Sequence, residues 1–301
     1  MDLKQIEYIL KIAEENNITH AAEKLFITQS ALNQQLLKLE KELGTPLFHR
    51  SRSNWRLTKA GEVYVQNAKE IMRIKKNTYD QIRDIAEVQK GTLSIGFTPG
   101  RGISMFPAVY PKFHNEFPDI TVVPLERRVR ELQTMITDDQ IDIAFLTLNQ
   151  SDRTKDNYIH LFDEEIFLVV PKIHPLSIHA APEGEPYAVM DLRKFQYEPF
   201  VLMDKSSTMW SLVSRIFSEA GFAPNILFET KDNNTIINMI RCNICCSLIP
   251  AHYVKHHHDG MTVFALPSHP TWQIVASYKK NGYLSKAARY FIELARSFWA
   301  E

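Results

Sequence analysis

Uncharged side chains that form hydrogen bonds recur in the segment 28–43, on the side away from its leucines. Asparagine and glutamine amides can each make two hydrogen bonds to the edge of an adenine base. Side chains of these types on one helix face indicate a surface that reads DNA, although an ordinary solvated helix face can have the same composition. The candidate base-reading residues are Thr28, Gln29, Ser30, Asn33, Gln34 and Lys38.

The neighbouring pattern puts this surface on the second helix of a helix-turn-helix. Four leucines, spaced by 4, 3 and 4 residues, predict an amphipathic helix over 28–43, which Thr28 caps and Gly44 ends. A short helix over 19–26, with Ala22 and Leu25 on its buried side, comes just before it. Two helices joined by so short a turn form a helix-turn-helix, whose second helix enters the major groove.

The segment 48–57 is predicted to form a two-stranded wing, because a turn signal at Ser53-Asn54 separates two short runs. Its three arginines suit contacts with phosphates or with a narrow minor groove. The candidate phosphate-contacting residues are Arg50, Arg52 and Arg56.

Two further helices flank these elements. A first helix over 2–14 is predicted to bury a face made of Leu3, Ile6, Leu10 and Ala13. A long helix over 59–88 follows the wing and has apolar or weakly polar residues at alternating spacings of 4 and 3, which is a heptad pattern. The pattern favours pairing with a second copy of the chain, and the alternative is a helix that lies on its own domain. The heptad positions are Tyr64, Ala68, Ile71, Lys75, Thr78, Ile82 and Ile85.

The charge distribution agrees with DNA binding by the N-terminal part. The chain of 301 residues has no net charge, but residues 1–90 carry 15 Lys and Arg against 12 Asp and Glu. Phosphate contacts need such local positive charge. The apolar runs are too short to cross a membrane, and the start of the sequence lacks a signal-peptide pattern. Its 3 cysteines lie close together, which argues against a disulfide framework, so we expect a cytoplasmic protein without a membrane partner.

From residue 91 onwards, predicted strands alternate with predicted helices, which implies an α/β fold with a parallel sheet. Ligands of such sheets bind beyond the carboxyl ends of the strands. Hydroxyl groups, backbone N–H groups at helix starts and Arg101 at those ends suit a small anion or a polar organic acid. The positive charges of Arg101 and Lys205 favour an anionic ligand. The candidate ligand-binding residues are Thr98, Pro99, Gly100, Arg101, Thr147, Met203, Lys205, Ser206, Ser207 and Thr230.

The cysteines Cys242, Cys245 and Cys246 could sense redox conditions or bind a metal with nearby histidines, either His252 or the run 256–258. Cysteines at a buried strand more often serve as small hydrophobic residues, and this interpretation is favoured. No metal site, cofactor or catalytic residue is predicted, because nucleotide-binding, nucleophile-elbow and metalloprotease motifs are missing.

The N-terminal part strongly resembles LysR-type transcriptional regulators, and segments at 91–96, 117–120, 141–144 and 168–171 resemble the effector domain of the same family. One departure is Asn243-Ile244-Cys245, where the family has Gly-x-Gly; it puts the local turn in doubt, because Cys tolerates a left-handed backbone poorly. The matching N-terminal residues are Ala21, Ala22, Leu25, Gln29, Ser30, Ala31, Leu32, Leu39, Glu40, Leu43, Gly44, Pro46, Leu47, Phe48, Arg50, Leu57, Thr58, Ala60 and Gly61.

The resemblance implies a winged helix-turn-helix (1–58), a linker helix (59–90) and an effector domain (91–301) with the fold of periplasmic binding proteins. Its two α/β lobes would be lobe one, 91–161 and 268–301, and lobe two, 162–267, with crossovers near 162 and 267 as the hinge. The expected partners are double-stranded promoter DNA, further copies of the chain in a dimer through the linker helix and then a tetramer, and RNA polymerase.

The resulting hypothesis is a transcriptional regulator that a small-molecule effector controls from a cleft between the lobes. A constitutive or architectural DNA-binding protein with an unused cleft is one alternative. A solute-binding protein or an enzyme with the cleft fold is another, and residues 1–90 weigh against it.

Overall fold

A computed structural model describes residues 2–51, 55–87, 90–182, 184–255 and 259–300. The chain divides into two compact units, residues 1–88 and residues 89–301. This division falls close to the predicted start of the effector domain at residue 91.

The first unit contains the predicted helix-turn-helix, wing and long helix. Asn17 caps the second helix, and Thr28 caps the third through its hydroxyl, which accepts from the amide of Ala31. Gly44 ends the third helix with a left-handed backbone (φ +71°), a conformation that glycine adopts without strain. The elements are α1 (Leu3–Glu15), α2 (Ile18–Lys24), α3 (Gln29–Leu43), the wing strands β1 (Phe48–His49) and β2 (Arg56–Leu57), and α4 (Lys59–Ile85).

The buried face of α1 differs from the prediction. Ile6, Ile9 and Ile12 are buried, whereas Leu3 is 42% exposed. The sequence of α1 offers two overlapping apolar stripes, and the stripe with the isoleucines packs against α2 and α3. The predicted stripe of Leu3, Ile6, Leu10 and Ala13 was therefore wrong by about one position around the helix.

Helix α4 has 27 residues and is about 40 Å long. Thr58 caps it as predicted. The first half of the predicted heptad face lies on its own domain, since Tyr64 packs against the core of the first unit and Ala68 is buried. Lys75 also pairs with Glu7 at 3.0 Å. The alternative interpretation thus holds for this half, and that part of the pairing prediction was wrong.

Apolar side chains further along α4 remain exposed in the single chain. Ile74 is 58% exposed, Ile82 is 57% exposed and Ile85 is 83% exposed. Because these residues are spaced by 8 and 3 positions, they lie along one side of the helix. The second half of α4 therefore has an exposed apolar face in the single chain.

The second unit holds the remaining strands and helices, joined in places by short 3₁₀ turns. The strands are β3 (Gly91–Phe97), β4 (Ile120–Glu126), β5 (Ile143–Leu148), β6 (Asn157–Pro171), β7 (Pro199–Met203), β8 (Asn225–Thr230), β9 (Ser247–Pro250), β10 (Met261–Phe264) and β11 (Thr271–Tyr278). The helices are α5 (Phe106–Glu116), α6 (Val129–Thr137), α7 (Thr208–Ala220), α8 (Asn233–Arg241), α9 (Ala251–Lys255) and α10 (Lys286–Ala300).

The main sheet is mixed, so the predicted parallel sheet was only partly right. Strand β3 of this sheet pairs in parallel with β4 and β5, whereas β7 and β8 form a separate parallel sheet of two strands. Strand β11 returns antiparallel between β5 and β6, and β6 pairs antiparallel with β9 and β10. A long strand such as β6 can serve two sets of partners, and the spacing of helices and strands along a sequence does not reveal this arrangement.

Strand β6 joins the two lobes of the second unit. Its residues up to Glu165 pair with β11, and from Ile166 onwards it pairs with β9. Each lobe has its own hydrophobic core. The core of lobe one contains Phe97, Phe145 and Phe291, and a core of lobe two contains Phe200 and Phe264. The change of partners is close to the crossover predicted near residue 162.

Candidate functional site

The predicted base-reading face is exposed on α3. Leu32, Leu36 and Leu39 are fully buried, whereas Gln34 and Lys38 on the other side are exposed. Gln29 and Ser30 are exposed near the start of the helix, and Asn33 is half-buried on its flank. The hydroxyl of Thr28 already caps the helix, so Thr28 has less capacity for a base contact than the glutamines.

One exposed apolar residue on this face was missed. Leu37 is 45% exposed among the polar side chains of α3. An apolar side chain at such a place can contact the methyl group of thymine. The signal was present in the sequence, because Leu37 does not fit the spacing of the buried leucines.

A buried carboxylate fixes the wing to α3. Glu40 is 8% exposed and accepts a hydrogen bond from the amide of Leu47 at 2.8 Å. It also pairs with Arg50, whose guanidinium lies 5.5 Å from the ring centre of Trp55. Arg50 therefore holds the base of the wing in place, and Arg56 on β2 is exposed. Arg52 lies outside the described residues.

A cavity of about 470 Å³ lies between the two lobes of the second unit. Predicted residues of both lobes line it, whereas Lys205 and Thr230 are not among its lining residues. The predicted residues that line it are Thr98, Pro99, Gly100, Arg101, Thr147, Met203, Ser206 and Ser207. The residues that the sequence prediction missed are Arg128, Val129, Asp204, Thr208, Lys231, Asp232, Asn233, Tyr253 and Trp272.

Several of the missed residues follow the rule that identified the others. Arg128 directly precedes α6, Asp204 follows β7, and Lys231 follows β8. Tyr253 and Trp272 lie on the short helix α9 and on the antiparallel strand β11, to which the rule for parallel strands does not apply. Thr147 lies inside β5, one residue before the strand ends at Leu148, and not beyond its carboxyl end.

Two threonine hydroxyls form the floor of the cleft on the side of lobe one. Thr98 and Thr147 are each 4% exposed, and their hydroxyl oxygens are 3.4 Å apart. The hydroxyl of Thr98 lies 3.5 Å from the carbonyl oxygen of Phe145, which is a long hydrogen bond. Both groups therefore retain capacity to bond a polar ligand.

Arg101 has a different role from the one predicted. Its Nε atom lies 2.9 and 3.0 Å from the two carboxylate oxygens of Glu164, which is 1% exposed. Its guanidinium lies 3.8 Å from the ring centre of Trp299. Burial lowers the pKa of Arg101, and Glu164 opposes that shift. The charge of Arg101 is thus compensated inside the protein, so Arg101 is not the anion-binding group that the sequence suggested.

Hydrogen bonds cross the cleft between the lobes. The amide nitrogen of the Asn149 side chain donates to the carbonyl of Thr208 at 3.1 Å and to the Ser211 hydroxyl at 3.0 Å. The hydroxyl of Thr208 donates to the carbonyl of Thr147 at 2.7 Å. Arg128 reaches from lobe one to the hydroxyl of Ser206 and lies 4.0 Å from a carboxylate oxygen of Asp204.

Tyr253 and Gly100 approach each other closely across the cleft. Gly100 has a left-handed backbone (φ +68°), and a Cβ atom there would lie 2.7 Å from the Tyr253 hydroxyl. Two buried polar atoms of other cleft residues, Oδ1 of Asn233 and Nε1 of Trp272, have no hydrogen-bond partner among the described residues.

The cysteines occupy the core of lobe two. Cys245 is fully buried and Cys246 is 1% exposed, while Cys242 is exposed. Burial raises the pKa of Cys245 to about 11 and raises that of Cys246 still further. The left-handed turn is made by Asn243 (φ +62°), so Cys245 does not need that conformation. These features favour the interpretation as small hydrophobic residues.

One group of metal-ligand types occurs in the part of the chain that the structure describes. It consists of His174, Glu198 and Cys246, whose ligand atoms lie within 4.8 Å of one another. The Nδ1 atom of His174 accepts a hydrogen bond from the amide of Leu176 at 3.2 Å. The neutral ring therefore carries its proton on Nε2, the atom that a metal would need unprotonated, so the group fits a metal poorly. The residues 256–258 lie outside the described residues.

Family comparisons agree with this architecture. Residues 3–62 match the family model described as bacterial regulatory helix-turn-helix protein, lysR family, and residues 86–300 match the LysR substrate binding domain. The chain belongs to the LysR family of transcriptional regulators. It is accordingly a DNA-binding regulator with a small-molecule effector domain, and not an enzyme.

Curated relatives in the LysR family cover nearly the whole chain. The uncharacterized HTH-type regulator YcgK of Bacillus subtilis is 30% identical over 98% of this chain and 94% of its own length. The Hca operon transcriptional activator HcaR of Escherichia coli is 28% identical over 98% of this chain and 97% of its own.

Solved structures of LysR-type regulators share the fold. Full-length OxyR from Pseudomonas aeruginosa, as a single-residue variant, superposes with a TM-score of 0.71 at 21% identity, over 98% of both chains. Full-length CbnR in complex with its target DNA superposes with a TM-score of 0.60 at 20% identity, over 99% of both chains. No helix among the described residues of this LysR-family chain is long and apolar enough to span a membrane.

Proposed function

We propose that this LysR-family regulator reads promoter DNA with the exposed face of α3 and the wing. The observation that supports the proposal is the separation of α3 into a buried leucine face and an exposed face with Gln29, Ser30, Gln34 and Lys38. Arg56 is exposed on the wing for phosphate contacts, and the relative CbnR has been solved on its target DNA.

Substitution of Gln34 tests the base-reading face. Loss of one bidentate contact should cost about 1–3 kcal/mol of binding free energy and relax specificity at one base pair. Fluorescence anisotropy with a labelled operator and with random DNA measures both effects for Gln34→Ala. Gln35→Ala, on the flank of α3, is the matched control. Equal operator affinity of Gln34→Ala and the parent protein would refute the assignment of this face.

The cleft between the lobes is the proposed effector site, and a small organic anion is the proposed class of effector. The proposal is supported by a cavity of about 470 Å³ that buried hydroxyls of lobe one and polar side chains of lobe two line together. A ligand that touches both lobes binds one lobe arrangement better than another, and so shifts their populations.

Removal of single hydroxyl groups tests this site. Thr98→Val and Thr147→Val keep the side-chain shape and leave a polar ligand group without a partner, which should cost about 1–3 kcal/mol of binding. Thr134→Val, an exposed position on α6 outside the cavity, is the control. Calorimetry measures the affinity for a compound that binds the parent. Parental affinity in both cleft variants would place the site elsewhere.

The proposed assembly is a dimer that α4 forms with its copy, and a tetramer of two such dimers. The exposed residues Ile74, Ile82 and Ile85 support pairing through the second half of α4. A dimer presents two copies of α3 to two half-sites of an operator. RNA polymerase is a further proposed partner of the DNA-bound regulator. We place the protein in the cytoplasm, because its proposed target is promoter DNA.

A further inference from the structure

We propose that Arg128 is the residue of the cleft that recognises a carboxylate, and that the ligand takes Arg128 away from a contact between the lobes. The inference rests on the proposed effector site in this cleft. It specifies the chemical class of the effector and the interaction through which binding reaches both lobes.

Arg128 is the cation of the cavity lining that is best placed to bind a carboxylate. Arg101 is compensated by buried Glu164. Lys231 also lines the cavity and is exposed, but its ammonium is a point charge without the planar pair of donors with which arginine binds a carboxylate. Asp232 caps α8 and accepts from the amides of Asn234 and Thr235.

The present contacts of Arg128 can be exchanged at low cost. The side chain is 44% exposed, and its distance of 4.0 Å to Asp204 is too long for a direct hydrogen bond. Its other contact is the hydrogen bond that it donates to the Ser206 hydroxyl. A carboxylate could instead accept two parallel hydrogen bonds from the guanidinium, which is the arrangement that arginine favours.

Lobe two would keep its own hydrogen bonds after the exchange. Oδ1 of Asp204 accepts from the amide of Ser206 at 2.9 Å and also from the Ser206 hydroxyl. These bonds do not involve Arg128, so both side chains keep them when Arg128 departs. Only the contact of Arg128 with lobe two is lost, and its loss destabilises the lobe arrangement that this contact favours.

A polar group deeper in the cavity suits the rest of the ligand. Asn233 is 8% exposed, lines the same cavity, and its Oδ1 atom has no hydrogen-bond partner among the described residues. An effector with a carboxylate for Arg128 and a hydrogen-bond donor for this oxygen would use both. The structure thus favours a small polar acid over a purely hydrocarbon acid.

The test compares acids with their amides. Acetate, succinate, benzoate, glycolate and lactate are each paired with the corresponding primary amide, and calorimetry measures their binding to the full-length protein. We expect carboxylates to bind, and Arg128→Gln to weaken them by at least about tenfold, which equals about 1.4 kcal/mol. The neighbouring control Arg127→Gln, which lies outside the cavity lining, should keep parental affinity. Asp204→Asn should bind the same acids more tightly, because a repelling charge is removed.

The outcomes separate this inference from the proposed site. Weaker binding in Thr98→Val and Thr147→Val but not in Arg128→Gln would leave the cleft as the site and refute the role of Arg128. Unchanged binding in all three variants would refute the cleft itself. Binding of the amides alone, or of no compound in the panel, would refute the carboxylate assignment.

The exchange has a second readout without ligand. If the Arg128 contact favours one lobe arrangement, Arg128→Gln without ligand should change the footprint on operator DNA. The change should be in the same direction as the change that a bound acid causes in the footprint of the parent. A ligand-free Arg128→Gln footprint identical to the ligand-free parental one would refute the exchange.

Discussion

The buried ion pair of Arg101 and Glu164 makes a quantitative prediction about stability. Glu164→Gln removes the negative charge, keeps the side-chain shape, and leaves the Arg101 guanidinium buried without a countercharge. The exposed fraction of the two side chains is 10% for Arg101 and 1% for Glu164, so solvent screening offers little compensation. Breaking a pair in such a place costs about 3–5 kcal/mol.

A cost of this size is a large part of the free energy of unfolding of a typical domain, which is about 5–15 kcal/mol. For a unit of this size, it should lower the melting temperature by roughly 6–20 °C. Differential scanning calorimetry of the full chain measures the shift. Tryptophan fluorescence helps to assign it, because Trp210, Trp272 and Trp299 lie in the effector unit.

A double variant distinguishes the unpaired charge from a general packing defect. Arg101→Met with Glu164→Gln removes both charges, keeps an apolar contact over Trp299, and preserves an acceptor for the amide of His252, which now donates to Glu164 at 3.1 Å. We expect the double variant to be more stable than Glu164→Gln alone. A loss below about 0.5 kcal/mol for Glu164→Gln, or a double variant as unstable as the single one, would refute the reasoning.

Three other predictions follow from exposed and buried groups. Ile74→Asp with Ile82→Asp should place charges in the proposed α4 interface and give smaller species in sedimentation, and an unchanged oligomer would move the interface elsewhere. Native protein should react with a thiol reagent at one site per chain, Cys242, because Cys245 and Cys246 are buried with raised pKa values, so labelling of all three thiols would contradict the core assignment. Gly100→Ala should weaken ligand binding more than Gly221→Ala. A side chain in the left-handed backbone costs about 1–2 kcal/mol at either position, but only the Cβ atom at residue 100 also clashes with Tyr253. Equal ligand affinities in the two variants would contradict this prediction.

Local patterns in the sequence were sufficient to predict α3 and the two strands of the wing. The leucine spacing and the Thr28 cap predict α3 and its exposed face, and the turn signal at Ser53-Asn54, which lies outside the described residues, predicts the two wing strands. Each signal depends on residues close together in the chain. The predictions for the α1 face and for the first half of the heptad face on α4 were wrong for a physical reason. Each helix has more than one apolar stripe, and the domain on which it packs decides which stripe is buried.

The cleft was predicted in outline, and its electrostatics were not. Strand ends identified Thr98, Thr147 and Ser206, but the partner of Arg101 is 63 residues away in sequence, on a strand that spans both lobes. A sequence shows that an arginine is present and not which carboxylate it meets. The anion assignment therefore moves from Arg101 and Lys205 to Arg128, which no local motif marks.

The central claim is that a ligand in the cleft changes how α3 and the wing meet DNA. DNase footprinting on the DNA upstream of the protein's own gene tests it most directly, with and without a compound that calorimetry shows to bind. We predict that the compound alters the footprint of the parent protein. At a concentration that saturates the parent, the compound should leave the footprint of the double variant Thr98→Val with Thr147→Val largely unchanged. Without the compound, the footprint of the double variant should match that of the parent. A footprint that the compound alters equally in the parent and in this double variant would contradict the claim.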